Sequence, residues 1–214
     1  MTATLSTRVN NAIPFLMAAA RFSRAVKAVE DANSTEPFGE FWEEIRSNAV
    51  ACILLVAAAL ESYTNELFSD RDKVFADQKM KVLEKLWKTF ERKPSLEKFN
   101  MALLLRDKPE IDEKSDTYRA VSAVLKLRNA LTHFKPEWSH APDKHQKLSK
   151  ELEGYFSPSR IFKGDQFIFP SAWAGHSCTS WAVQTTVKFF QDFEMLADLP
   201  DRTDWKAFDG RLQP

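Results

Sequence analysis

An arginine, an asparagine and a histidine fall together in the run Lys126-Leu127-Arg128-Asn129-Ala130-Leu131-Thr132-His133-Phe134. These side chains suit work on a phosphate: a planar cation that never loses its proton, an amide, and an imidazole that titrates near neutral pH. Pro136 disfavours helical geometry at Lys135, so a helix carrying the run ends right after His133. At roughly 100° per residue, Ala120, Val124, Leu127, Leu131 and Phe134 form its core face. Asn129 and His133 share the opposite side, and Arg128 lies at the core's edge. The plain alternative is a solvated helix end, where Arg and His complement the negative end of the helix dipole.

The chain around this run has 214 residues, enough for one large domain with a proper core. Thirty acidic residues balance thirty basic ones, which argues against a DNA-coating protein and leaves room for a local basic cleft that grips RNA. Only 5 glycines are present, too few for a turn-rich sheet fold. Cys52 and Cys178 sit far apart in apolar helical patterns and read as reduced core residues of a cytoplasmic protein. The first residues lack the basic stretch and apolar run of a signal peptide. The longest apolar run, Ala49 to Leu60, is 12 residues, short for a bilayer span and better suited to a buried helix.

Periodicity predicts an all-α chain. A first helix spans about 11–32, capped by Asn10 or Asn11, with the stripe Phe15, Ala19, Phe22, Val26 and Val29. A second spans about 39–68. Its main stripe is Ala49, Ile53, Val56, Leu60, Tyr63 and Leu67, and a second face carries Leu54, Ala58, Glu61 and Asn65. Two non-solvent faces place that helix centrally or against a partner. Residues 69–114 read as an inserted pair of shorter helices, about 77–92 and 95–106, the latter capped by Ser95, with their Lys and Glu on a solvated face.

The motif helix spans about 115–134. Residues 135–175 form a long aromatic connection, with a small hairpin expected around Gly164-Asp165. A loop of this length is expected to pack through its aromatics, which could otherwise stack RNA bases. A last helix spans about 177–197, with Trp181, Val187, Phe190, Phe193 and Met195 as apolar positions. The tail 198–214 offers Trp205 and Phe208 as docking points. All 214 residues read as one domain.

Arg128-Asn129-Ala130-Leu131-Thr132-His133 resembles the R-x-x-x-x-H signature, in its R-N-x-x-x-H form, of the HEPN superfamily. The segment Ala57-Ala58-Ala59-Leu60-Glu61-Ser62-Tyr63-Thr64-Asn65-Glu66-Leu67-Phe68 looks like the earlier helix of such proteins, where an acidic or polar residue faces the motif. The closing helix from Trp181 to Phe193 also suits the bundle. The resemblance implies an all-α, HEPN-like helical bundle. Many members of that superfamily are ribonucleases that need neither metal nor cofactor, often in toxin–antitoxin, abortive-infection or other defence systems.

On that resemblance Arg128 would hold the scissile phosphate and offset transition-state charge. His133 would move the proton of the ribose 2′-OH. Asn129 would orient the histidine or the phosphate. Glu61 would pair with Arg128, with Asn65 and Lys135 in support. Cleavage by 2′-OH attack benefits from a base and an acid on opposite sides, and one chain shows one motif histidine. A two-fold homodimer would supply the second copy. RNA, and an antitoxin or other defence partner, are the implied partners, with no membrane. Some relatives that act as toxins carry a tyrosine two residues after the histidine. Lys135 stands there in this chain, which disfavours that subfamily. The alternative is a non-catalytic RNA-binding or protein-interaction module.

Other constellations are thin. His140 and His145 are five apart without a nearby cysteine, and His176 precedes Cys178; neither spacing resembles a zinc site, so surface histidines are expected. Ser177-Cys178-Thr179-Ser180 reads as a helix cap.

Overall fold

In the computed structural model, which describes residues 8–162, 167–200 and 202–214, the chain is helical, and among the described residues no strand occurs. α1 (Ala12–Ala32) and α2 (Phe41–Ser69) form the most extensive helix pair. They run antiparallel, because Glu66 at the end of α2 accepts the backbone N–H groups of Asn11 and Ala12 at 2.7 and 2.9 Å. That carboxylate caps α1; the Asn11 side chain does not.

α6 (Asp116–Thr132) and α8 (His176–Leu196) complete a four-helix core. α8 runs parallel to α2, since Cys52 approaches Thr179 and Tyr63 reaches Glu194. α6 opposes α8, with Thr117 at 3.4 Å from Asp192. The expected stripe of α2 is buried along its whole length. By length and composition α2 could cross a membrane, but its apolar stripe packs on α1, α5, α6 and α8.

Three stripes sit differently from expectation. On α1 the buried positions are Ala12, Leu16, Ala19, Ala20, Ser23 and Val26, while Phe15, Phe22 and Val29 are only partly covered. Small residues at the centre let α1 approach α2 closely, and the larger rings fill the flanks. On α8, Met195 is 71% exposed and Phe189 is buried instead. On α6, Phe134 lies beyond the last turn and is half exposed.

The inserted segment comprises a single turn, α3 (Arg71–Val74), then α4 (Met80–Phe90) and α5 (Ser95–Leu104). Its Lys98 is fully buried, against the expectation of a solvated face. The Lys98 ammonium donates to Glu61 and, at 3.2 Å, to Asn65, and lies 5.5 Å from the Trp87 ring centroid. A charge at that depth is held only by such partners. Ser95 does not cap α5; its hydroxyl donates to Glu61 at 2.7 Å. The polar face of α2 is therefore partly covered by the chain's own α5.

The core is strongly aromatic. Tyr63 stacks on Phe190 at 4.3 Å, and Phe99 meets Phe189 and Phe193 edge-on. Tyr63 donates its hydroxyl to the buried Glu194 at 2.6 Å. The same carboxylate accepts from Thr203 and from the Trp205 indole, each at 2.6 Å, which ties α9 (Trp205–Leu212) to the core. The tail thus holds a helix that its polar composition concealed.

Candidate functional site

The connection after α6 is organised by one carboxylate. Glu137 accepts the N–H groups of Asp143, Lys144 and His145 at 3.0 to 3.1 Å, and so caps α7 (Lys144–Leu152), a helix that periodicity did not reveal. These three bonds, that of His145 foremost, hold the Glu137 carboxyl below its usual range. A depressed folded value means that the carboxylate stabilises the fold fully above roughly pH 5 and loses this contribution as the pH falls through the lowered value. Glu137→Gln should flatten that part of the acid unfolding profile. The check is circular dichroism of both proteins between neutral and acid pH; parallel profiles would refute the cap.

His145 is buried, not a surface residue. Its Nε2 lies 2.9 Å from the Lys135 carbonyl, and since a carbonyl only accepts, Nε2 carries a proton. The ring packs between Phe134 at 5.4 Å and Phe169 at 5.0 Å. Ser149 extends the clamp: its hydroxyl donates to the His145 carbonyl and accepts from the Phe169 N–H. Phe169 belongs to a short turn over Ile168–Ala172 that contains a cis Phe169–Pro170 bond. The expected hairpin tip, Gly164-Asp165, lies outside the described residues, and the described residues flanking it form turns. Most other aromatics of the connection bury themselves: Tyr155 and Phe156 pack on Trp181, and Phe162 on Trp42, while Trp138 stays 77% exposed.

The clamp fixes α7 beside the last turns of α6 and leaves a cleft of about 420 Å³ between them. Lys126, Ala130, His133 and Lys135 line one wall, Lys144, Lys147, Leu148 and Glu151 the other, with His145 and Phe169 at the junction. Four lysines against one carboxylate, shared between the two walls, make the cleft anion-attracting in a chain of zero net charge. His133 is the C-cap of α6; its backbone N–H bonds to Asn129 and its side chain is exposed.

The expected constellation is divided in a single chain. His133 and Lys135 share the cleft, and Asn129 is exposed one turn before His133. Arg128 does not line the cleft. It is half buried, and its Nε is buried with no hydrogen-bond acceptor among the described residues. Glu61 does not pair with Arg128, because its two oxygens take Lys98 and Ser95. Glu43 to Val50 of α2 border Leu131 and Phe134, and Glu61 lies roughly 16 Å further along the axis from Val50. Glu61 and Asn65 therefore belong to the α2–α5 contact. Lys126, Lys144 and Lys147 are the site residues that sequence reading missed. The local signals were the place of Lys126 at the head of the motif run and the basic spacing of Lys144 and Lys147, one turn apart with Leu148 beside them.

The remaining candidates are structural. Cys52 and Cys178 are buried, which pushes the Cys52 thiol up to about 12 and that of Cys178 well above its ordinary value, so neither offers a thiolate. α8 is capped from outside: Glu30 accepts the His176 N–H at 3.2 Å, and a Cβ at Gly175 would meet that carboxylate oxygen at 2.8 Å. The Ser177 hydroxyl instead accepts from the Ser157 N–H. Among the described residues no three His, Cys, Asp or Glu side chains converge in a way that could hold a metal ion. No protein-family model matches the sequence, and no curated protein or solved structure matches it.

Proposed function

We propose that this protein is a HEPN-type endoribonuclease that cleaves single-stranded RNA without a metal. The observation that carries this reading is the placement of His133, exposed at the end of α6 and opening onto a cleft with four lysines. An imidazole beside fixed cations is suited to take a proton from a group next to a phosphodiester. The 2′-oxygen forms a bond to phosphorus as its proton passes to His133. The bond from phosphorus to the 5′-oxygen breaks, and that oxygen takes a proton from a second acid. The products are a 2′,3′-cyclic phosphate and a 5′-hydroxyl.

A homodimer accounts for the second acid and for Arg128. In one chain Arg128 lies outside the His133 cleft, so a second copy would have to bring its own arginine or histidine to complete the site. An antitoxin or another defence partner in the cytoplasm is the biological setting that the motif suggests. The placement of Arg128 also favours the second reading, a non-catalytic RNA-binding module whose cleft only holds phosphates.

Incubation of the purified protein with single-stranded RNA in excess EDTA tests the reading. Fragments ending in 2′,3′-cyclic phosphate are expected. Intact RNA with a folded, dimeric protein would remove the ribonuclease reading in favour of the binding module.

A further inference from the structure

The α7 wall of the cleft has no counterpart in the motif, and its chemistry is specific. Lys144 and Lys147 are three residues apart on one helix, so their Cβ atoms stand roughly 5–6 Å apart on one face. Both line the cleft opposite Lys126 and His133, and Leu148, Ala130 and Phe169 supply its apolar surface. Lys126 is held by Glu151 at 3.0 Å and Lys147 by Asp143 at 2.8 Å, in pairs whose side chains are all about half exposed or more. Exposed pairs of this kind are weak and exchange readily for a phosphate. Lys144 has no acidic partner among the described residues. The helix that presents Lys144 and Lys147 is seated by the Glu137 cap and the His145 clamp, so its backbone directs both lysines at the cleft before a ligand arrives.

We propose that Lys126, Lys144 and Lys147 form a phosphate-binding track for a single RNA strand, seating the phosphates that flank the one at His133. The track rests on the ribonuclease reading only for which phosphate lies at His133. It is complete within one chain and does not depend on dimerisation. A cleft of about 420 Å³ accepts one nucleotide unit, and the strand continues over the lysine rim. The cations address the backbone, so binding is insensitive to base sequence.

The test uses the full chain carrying His133→Ala, a fluorescein-labelled oligouridine, and anisotropy over a series of salt concentrations. Adding Lys144→Ala with Lys147→Ala should weaken binding about tenfold and reduce the salt slope by about 1.4, the release expected for two phosphate contacts on a single strand. Lys150→Ala, on α7 but outside the cleft lining, should change neither. Uridine monophosphate should compete poorly, since it offers one phosphate to a multi-point track. Matching thermal midpoints confirm that the lysine variants are folded. An unchanged affinity and slope in the double variant, an equal loss in Lys150→Ala, or effective competition by the mononucleotide overturns the track. Lysine-dependent binding with no cleavage by wild type would leave the track standing and remove the ribonuclease. His133-dependent cleavage indifferent to the lysines would do the reverse.

Discussion

His133→Ala is expected to slow RNA cleavage by about 10²–10⁴-fold, the usual contribution of a positioned acid or base. The thermal midpoint should move by no more than about 2 °C. The stability expectation follows from position: His133 is exposed and its N–H bond to Asn129 is made by the backbone, which alanine keeps. A rate assay in EDTA beside a melting curve reads both quantities. Loss of the fold together with activity would mean that His133 is structural. Retained cleavage would remove it from the site. Arg128 supplies a sharper form of the same test, because it lies outside the cleft that His133 lines. In a two-fold dimer whose sites each combine one chain's His133 with the other chain's Arg128, a mixture of Arg128→Ala and His133→Ala chains regains roughly a quarter of the wild-type sites by random exchange. Two inactive proteins that stay inactive after exchange would rule out a site that pairs one chain's His133 with the other chain's Arg128.

Glu194→Ala is expected to cost about 3 kcal/mol or more of stability, because it strands three donors at once. The carboxylate is buried and accepts from the Tyr63 hydroxyl, the Thr203 hydroxyl and the Trp205 indole, so alanine leaves each without its acceptor and opens a cavity among these three side chains. At this chain length the midpoint should fall by roughly 10 °C. Urea unfolding, with limited proteolysis of the tail, measures it; release of α9 is the expected first event. A loss below about 1 kcal/mol, the scale of a single surface contact, would show that the tail contributes little to the core. The Tyr63 hydroxyl carries the same message electrostatically, since burial, reinforced by the neighbouring carboxylate, holds its pKa well above the ordinary value.

The all-helical character was readable from local pattern, because each long helix repeats apolar residues at three- and four-residue spacing over many turns. α2 shows this best: its stripe from Ala49 to Leu67 is buried as periodicity requires. The end of α6 was readable too, since Pro136 acts through its own ring on the residue before it and needs no distant partner. The exposure of Asn129 and His133 and the edge position of Arg128 follow from the same helical geometry.

What local pattern could not hold is any feature that depends on a partner far along the chain. α7 is short and polar, with only Leu148 and Leu152 as apolar positions among its lysines, and it is defined by Glu137 capping it and by His145 packing between Phe134 and Phe169. Lys98 looks like any surface lysine until α5 meets Glu61 and Asn65 on α2. For the same reason Glu61 cannot be assigned to Arg128 from the sequence: which cation a carboxylate meets is set by helix packing, and here the packing gives it to Lys98. The chemistry available at His133 was therefore written in one helix. The lysine wall it faces, and the separation of Arg128 from that wall, arise only when α6 and α7 are brought side by side, because a cleft is a relation between two surfaces and neither surface encodes the other.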